Sequence, residues 1–375
     1  MEKVIVVSGI NIRSGGTLSI MQECLKYLSH NLSSDYKIVA IVHSKQLFNI
    51  KAIEFIEFPN SIDSWLTRLY YEYIHFRKLS LKIKPYLWLS LHDITPNVKS
   101  EIRAVYCHNS TPFYRVTFHD FFLAYDFALF CLFYKYFYGI NIKKNNWVIV
   151  QQEWLRNEYR KLFNKENIIV AYPHIQGDIN VTNMKECDAK IYRFFYPALP
   201  RIFKNFEVIF ESVILLNKRG VENFEVILTI DPLQNKYTKY LLRKYGKIKN
   251  ISFIGLQPRD IVYRYYEHVD CLIFSSKLET WGMPITEFKG FKKPIFIADL
   301  PYAHETIGGY NKVKFFDPGN SKILACYMEE LIKGTIEYDI NKCVVPSQPF
   351  TQNWEELFQL LLSRDTEVIR KAVKV

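Results

Sequence analysis

The stretch Ser275-Ser-Lys-Leu-Glu279-Thr-Trp-Gly282-Met-Pro284-Ile-Thr-Glu287 gathers residue types suited to holding a phosphorylated, hydroxyl-rich ligand. It follows the apolar run 271–274, which predicts a buried strand, and leads into a predicted helix over 284–291. Pro284 fits the first helical turn, where its missing amide hydrogen has no helical partner to lose. Gly282 permits close approach of the backbone to a ligand. The amides around Gly282, Met283 and Ile285 could therefore grip a diphosphate, helped by the positive end of the helix. A carboxylate does not bind a phosphate, so Glu287 is read as accepting hydrogen bonds from paired hydroxyls, as on a ribose. Glu279, one loop earlier, could do the same for a sugar. Taken singly, each glutamate also fits a plainer role, Glu279 as a solvated loop residue and Glu287 as a carboxylate balancing the helix dipole.

The two glutamates, with seven residues between them in this setting, resemble the glutamate pair of the retaining glycosyltransferases of family 4, which have the two-domain GT-B architecture. The resemblance extends over nearly the whole chain. It implies that Glu279 contacts the donor sugar and Glu287 the ribose. It also implies a nucleotide-sugar donor (UDP-, GDP- or dTDP-sugar), retention of anomeric configuration by front-side displacement, and a bacterial surface glycan such as lipopolysaccharide O-antigen or capsule as product. Gly15-Gly16, after the first predicted strand and before a predicted helix, looks like the family's N-terminal glycine loop; an ordinary tight turn has the same composition. Arg201 and Lys204 resemble the family's basic pair on the donor diphosphate, where cations neutralise charge growing on the leaving group. The segment departs from the pattern: Lys204 is followed by Asn205 instead of glycine, Arg201 precedes the lysine by only three positions, and Thr229-Ile-Asp231-Pro replaces a glycine-rich turn. Lys204 is thus the safer transfer.

His108, in Tyr106-Cys-His108-Asn109, follows a predicted strand and resembles the family's histidine near the reacting end of the donor; a strand-end capping histidine is the alternative. His108, Glu279 and Lys204 form the candidate catalytic set. His92 and Asp93 also end a predicted strand, with Asp93 free to orient a histidine or to cap Thr95. No glycine-serine elbow, spaced Cys-His pair, His-Glu-x-x-His string or Asp-x-Asp sequence occurs, so no metal is expected and Lys204 with the helix amides takes over the electrostatic work.

The elements that must position these residues read as two α/β series. Strands are predicted at 4–7, 38–42, 53–58, 86–91, 103–107 and 147–150, and helices at 18–28, 66–83, 118–138 and 153–163. After a loop-like stretch at 173–188 come strands at 191–196, 224–230, 251–254, 271–274, 294–298 and 313–316, with helices at 206–216, 237–245, 261–267, 284–291 and 321–333. Such alternation calls for parallel sheets covered on both faces, with ligands outside the carboxyl ends of the strands. The expected organisation is a Rossmann-like acceptor-side domain over 1–185, a Rossmann-like nucleotide-sugar domain over 186–348 facing it across a cleft, and a helical segment over 349–375 that packs back across the junction, with Thr351 as its N-cap.

Composition narrows the partners. The chain has 375 residues, enough for about two or three domains. Its net charge of +11 favours anionic partners. The basic residues are spread over many elements and form no continuous nucleic-acid surface. Seven dispersed cysteines fit a reducing compartment. No run of about 18 or more apolar residues predicts a membrane span. The aromatic segment 118–138 is read first as a half-buried helix and second as a face for a lipid surface, in keeping with a polyprenyl-diphosphate-linked acceptor at the cytoplasmic side of the inner membrane. A sugar-nucleotide 2-epimerase and a non-catalytic nucleotide-sugar-binding protein share the site's composition. A dinucleotide oxidoreductase does not, because Gly9 and Gly15-Gly16 have the wrong spacing.

Overall fold

A computed structural model describes residues 2–173 and 191–363. Most of the loop expected at 173–188, the 185/186 boundary, Cys187 and the end of the C-terminal segment lie outside the described residues. The chain divides into two compact units, the first Met1–Phe113, Leu132–Ile175 and Pro346–Val375, the second Tyr114–Cys131 and Gln176–Val345.

The first unit carries β1 (Lys3–Gly9), β2 (Tyr36–Val42), β3 (Glu54–Glu57), β4 (Leu87–Ser90), β5 (Ile102–Tyr106), β6 (Trp147–Val150) and β7 (Ile168–Ala171). The second carries β8 (Tyr192–Tyr196), β9 (Phe224–Leu228), β10 (Ile251–Phe253), β11 (Cys271–Phe274), β12 (Ile295–Ala298) and β13 (Val313–Phe316), and the chain then returns to the first unit for β14 (Phe350–Thr351). The sheet orders are β14-β7-β6-β5-β4-β1-β2-β3 and β10-β9-β8-β11-β12-β13. All the pairings are parallel. The expected fold class, two parallel-sheet α/β units, is what the chain adopts.

Burial follows from strand periodicity. In the first sheet Ile5 and Val7 face one layer, with Met21, Leu25 and Leu28 of the helix Gly15–Asn31 and Leu357, Phe358 and Leu361 of the helix Trp354–Leu362. Val6 faces the opposite layer with Phe76 and Trp88. Because both faces are covered, the strands read as continuous apolar runs instead of alternating ones.

Several elements differ from the expectations. Strands β7 and β14 and the helix Pro301–Ile307 are additional. The helix expected over 66–83 is interrupted by a π-helical turn, Tyr71–His75, between Trp65–Tyr70 and Phe76–Ile83. The aromatic segment is two helices, Phe118–Leu123 and Tyr125–Gly139, because Ala124 leaves helical geometry (φ −150°, ψ 57°). Thr351 does not cap the last helix. It pairs with Ala171 in β14, and Asn353 caps instead, its side chain accepting from the Glu356 amide at 2.9 Å.

Candidate functional site

In the second sheet the strand order reverses between β8 and β11, the position at which open parallel sheets leave a crevice beyond their carboxyl ends. The two loops that leave these neighbouring strands carry Arg201 with Lys204 and Glu279 with Gly282. They are stitched together by hydrogen bonds. The Ser275 hydroxyl reaches the Lys204 carbonyl at 3.0 Å and lies 3.1 Å from that of Asn205. The Lys277 amide donates to the Phe203 carbonyl at 2.7 Å, and the Tyr196 hydroxyl to the Lys204 carbonyl at 3.0 Å.

This framework brings the Lys204 ammonium directly against the Glu279 carboxylate, with both side chains mostly shielded from solvent. Lys204 also stands 5.3 Å and 5.7 Å from the ring centres of Phe203 and Phe274. Its loop depends on Asn205, which adopts φ 56° and whose side chain donates to the Ser275 and Pro318 carbonyls at 3.3 and 2.8 Å. Asparagine tolerates the left-handed region better than other non-glycine residues. The departure from the expected lysine-glycine is thereby absorbed without moving the lysine. Arg201 is exposed just before the short turn Ile202–Lys204. Thr229, where a glycine-rich turn was expected, exchanges hydrogen bonds of 2.9 Å with both the amide and the carbonyl of Ala198.

Gly282 has φ 84°, and a β-carbon there would meet Ile285 Cδ1 at 2.6 Å. The helix Met283–Lys289 follows at once. Ile285 corrects the expected amide set: its amide donates back to the Gly282 carbonyl at 2.9 Å and is not a free donor. Gly282 and Met283 remain as the amide candidates, and Pro284 sets the turn. Glu287 is the fifth residue of this helix, not part of its first turn, and it is buried. One carboxylate oxygen pairs with Arg259 at 3.0 Å and the other accepts from the Tyr266 hydroxyl at 3.3 Å. Burial pushes its carboxyl above the usual glutamate range, and Arg259 opposes that shift. Arg259 and Tyr266, on the helix Arg259–His268, were missed by the sequence reading, since no local spacing links them to Glu287.

The first sheet has the same reversal between β1 and β4. The loop after β1 holds Gly15, at φ 72°, and Gly16, where added β-carbons would meet nothing within 4 Å, so the backbone is open to close approach. The loop after β4 holds His92 and Asp93. His92 faces inward. Its Nδ1 lies 3.1 Å from Arg68 Nη2 and 3.2 Å from Glu72, and its Nε2 lies 3.2 Å from the Ser90 hydroxyl and 3.5 Å from that of Ser8. Burial, reinforced by Arg68, holds His92 well below the usual histidine range, and burial pushes the Glu72 carboxyl up to about 8. A protonated Glu72 facing a neutral imidazole satisfies both shifts.

Asp93 caps no helix. Its carboxylate accepts from the amides of His108 and Asn109 at 2.5 and 3.0 Å and so fixes the loop after β5. His108 stacks on Tyr106 with ring centres 4.5 Å apart, and its ring nitrogens are closed off from solvent. Burial lowers its pKa to about 4, partly offset by contact with the Leu91 backbone. The imidazole is therefore neutral near pH 7.

Comparison with solved structures shows that the chain shares the GT-B fold of several glycosyltransferases. WaaG, a glycosyltransferase involved in lipopolysaccharide biosynthesis, superposes with a TM-score of 0.65 at 12% identity, covering 88% of this chain and 90% of that one. Sucrose-phosphate synthase from Thermosynechococcus elongatus gives 0.63 at 10% identity, with coverage of 89% and 90%. Anabaena HepE, solved in complex with UDP and glucose, gives 0.62 at 14% identity, with coverage of 89% and 91%. No curated protein matches. Residues 188–341 match the family described as Glycosyl transferases group 1, and that stretch holds Arg201, Lys204, Glu279 and Glu287.

Proposed function

We propose that the protein is a retaining glycosyltransferase that moves a hexosyl group from a nucleotide-sugar to a hydroxyl of a growing bacterial surface glycan. The observation that carries this reading is the pairing of Lys204 with Glu279 at the reversal point of the second sheet. One cation and one hydroxyl acceptor stand together there, a combination that suits a sugar diphosphate. Lys204, with Arg201 and the Gly282 and Met283 amides, meets the charge that develops on the departing diphosphate. Glu279 orients the sugar hydroxyls, and Glu287, held by Arg259 and Tyr266, orients the ribose. His108, neutral near pH 7, is the proposed hydrogen-bond partner of the sugar near the reacting carbon, a role for which its ring nitrogens, closed off from solvent, have to be uncovered.

In this reading electrostatic catalysis is supplied by Lys204 and backbone amides, so transfer proceeds without a divalent ion. Gly15 and Gly16 give the backbone room beside the ligand. The acceptor is a polyprenyl-diphosphate-linked glycan of the lipopolysaccharide, O-antigen or capsule type, met at the cytoplasmic face of the inner membrane. The +11 charge suits both anionic substrates. The test is a panel of UDP-, GDP- and dTDP-sugars incubated with purified protein, a polyprenyl-diphosphate-linked sugar and a chelator, read by mass spectrometry. Transfer from one donor, with the anomeric configuration kept, is the expected result. Donor binding without transfer to any lipid-linked sugar would favour a binding protein, and interconversion of the donor sugar would favour an epimerase; either overturns the reading.

A further inference from the structure

Residues Tyr114–Cys131 lie within the sequence of the first unit but belong to the second, which the chain joins after Phe113 and leaves at Leu132. Their aromatic side chains divide. Phe118 and Phe122 are 89% and 81% exposed, whereas Tyr114 and Phe127 pack on Phe203, the residue before Lys204. Between ring centres, Phe127 lies 5.3 Å from Phe203 and 5.3 Å from Tyr114, and Tyr114 lies 6.5 Å from Phe203. All three separations fall in the range of aromatic contact. The buried Asp120 anchors the cluster. Its carboxylate accepts from the Tyr114 hydroxyl at 3.3 Å, and from the Thr117 amide and hydroxyl at 2.6 and 2.9 Å, which closes the capping box of the helix Phe118–Leu123.

The Lys204 ammonium has two aromatic neighbours, and they are held differently. Phe274 is buried at the end of β11 and is fixed by the sheet. Phe203 lies in the three-residue turn Ile202–Lys204, where the Lys277 amide holds its carbonyl but leaves its ring to be placed by packing. Tyr114 and Phe127 supply that packing.

We propose that Tyr114 and Phe127 are positioning residues of the transfer reaction, which hold the Phe203 ring and through it keep the Lys204 ammonium where the departing diphosphate needs it. The proposal deepens the reading of Lys204 as the cation of the donor site and rests on it. A ring face attracts a cation within about 6 Å, so the placement of the Phe203 ring and that of the ammonium are linked. Without Phe127 the ring gains rotational freedom, and the ammonium keeps Glu279 and Phe274 but loses its third constraint. Lys204 acts on charge that builds in the transition state, while the Gly282 and Met283 amides are untouched. The loss therefore falls on kcat more than on KM.

The test is a kinetic double-mutant cycle between Phe127→Ala and Lys204→Ala, run with the nucleotide-sugar that supports transfer. Phe127→Ala is expected to lower kcat about tenfold, with the donor KM little changed. In the Lys204→Ala background the same substitution has no further effect, because the residue through which it acts is gone. Phe127→Tyr, which keeps the ring, retains most of the rate, and Phe122→Ala, on the exposed side of the segment, leaves it unchanged. Phe127 is half-buried, and a urea midpoint checks that its variants are folded. Should Phe127→Ala fail to fold, Phe203→Leu removes the ring from the other side of the contact while filling its volume, and shows the same non-additivity with Lys204→Ala. Equal fractional losses in both backgrounds would make the aromatic cluster a purely structural feature and overturn the proposal. A slow Lys204→Ala beside normal Phe127→Ala and Phe203→Leu overturns this proposal alone, whereas a normal rate in Lys204→Ala overturns the role of Lys204 on which it rests.

Discussion

Lys204 and Glu279 lie 75 positions apart, yet they form the closest charged contact in the second unit's site. In the proposed role Lys204 meets the charge that builds on the leaving diphosphate in the transition state. Lys204→Ala is expected to lower kcat/KM by about a hundred- to a thousandfold, while the thermal midpoint shifts by only a few degrees. Steady-state kinetics beside a melting curve checks this, and unchanged turnover in a folded variant removes the role. The buried Glu72 makes a second prediction at this scale. It loses its proton near 4.5 when unfolded and near 8 in the folded protein, so between those values the folded state holds one proton more. Stability therefore falls as pH rises through that window, by about 1.4 kcal/mol per pH unit from this group. His92, kept neutral by burial beside Arg68, contributes the opposite slope below its ordinary value, so the informative quantity is the difference between the parent protein and Glu72→Gln. Urea unfolding across pH should show the Glu72 slope vanish in the variant; an identical slope in both would mean that Glu72 is ionised in the folded state.

Short elements carry the geometry of the site. The turn Ile202–Lys204 ends in a left-handed Asn205, and the helix Met283–Lys289 starts from a left-handed Gly282. Both residues were visible in the sequence. The glycine was readable as a place where the backbone must bend or approach, whereas Asn205 looked like a departure until its φ angle and its bonds to Ser275 and Pro318 explained it. Gly282→Ala is expected to cost about 1–2 kcal/mol for the backbone conformation alone, with a further cost from the 2.6 Å approach to Ile285. Chemical denaturation measures it, and an unchanged midpoint would mean that the loop relaxes freely. The Ile285 amide shows the limit of pattern at this scale. Its position after Pro284 suggested a free donor, but the turn closes on the Gly282 carbonyl.

For the molecule as a whole, the chain leaves the first unit and comes back to it at Pro346. Strand β14 then pairs with β7, and Leu357, Phe358 and Leu361 enter the core beside the helix Gly15–Asn31. Each such side chain stabilises by about 1.5–3 kcal/mol on burial, so together they rival the net stability of a domain, which is about 5–15 kcal/mol. Ending the chain at Val345 is expected to unfold the first unit and spare the second; hydrogen exchange would then lose protection in β1 to β7 and keep it in β8 to β13, and protection kept throughout would contradict the argument. The sequence by itself determined the alternation of buried strands and helices, hence parallel sheets, and the loops where glycines, cations and glutamates gather, because those signals are local periodicities and turn chemistry. Only the tertiary structure decided that β8 lies beside β11 so that Lys204 meets Glu279, that Arg259 and Tyr266 hold Glu287, that His92 turns into the core, and that residues 114–131 join the second unit. Each of these depends on strand order and packing between segments distant in the chain, and no spacing along the sequence encodes that order.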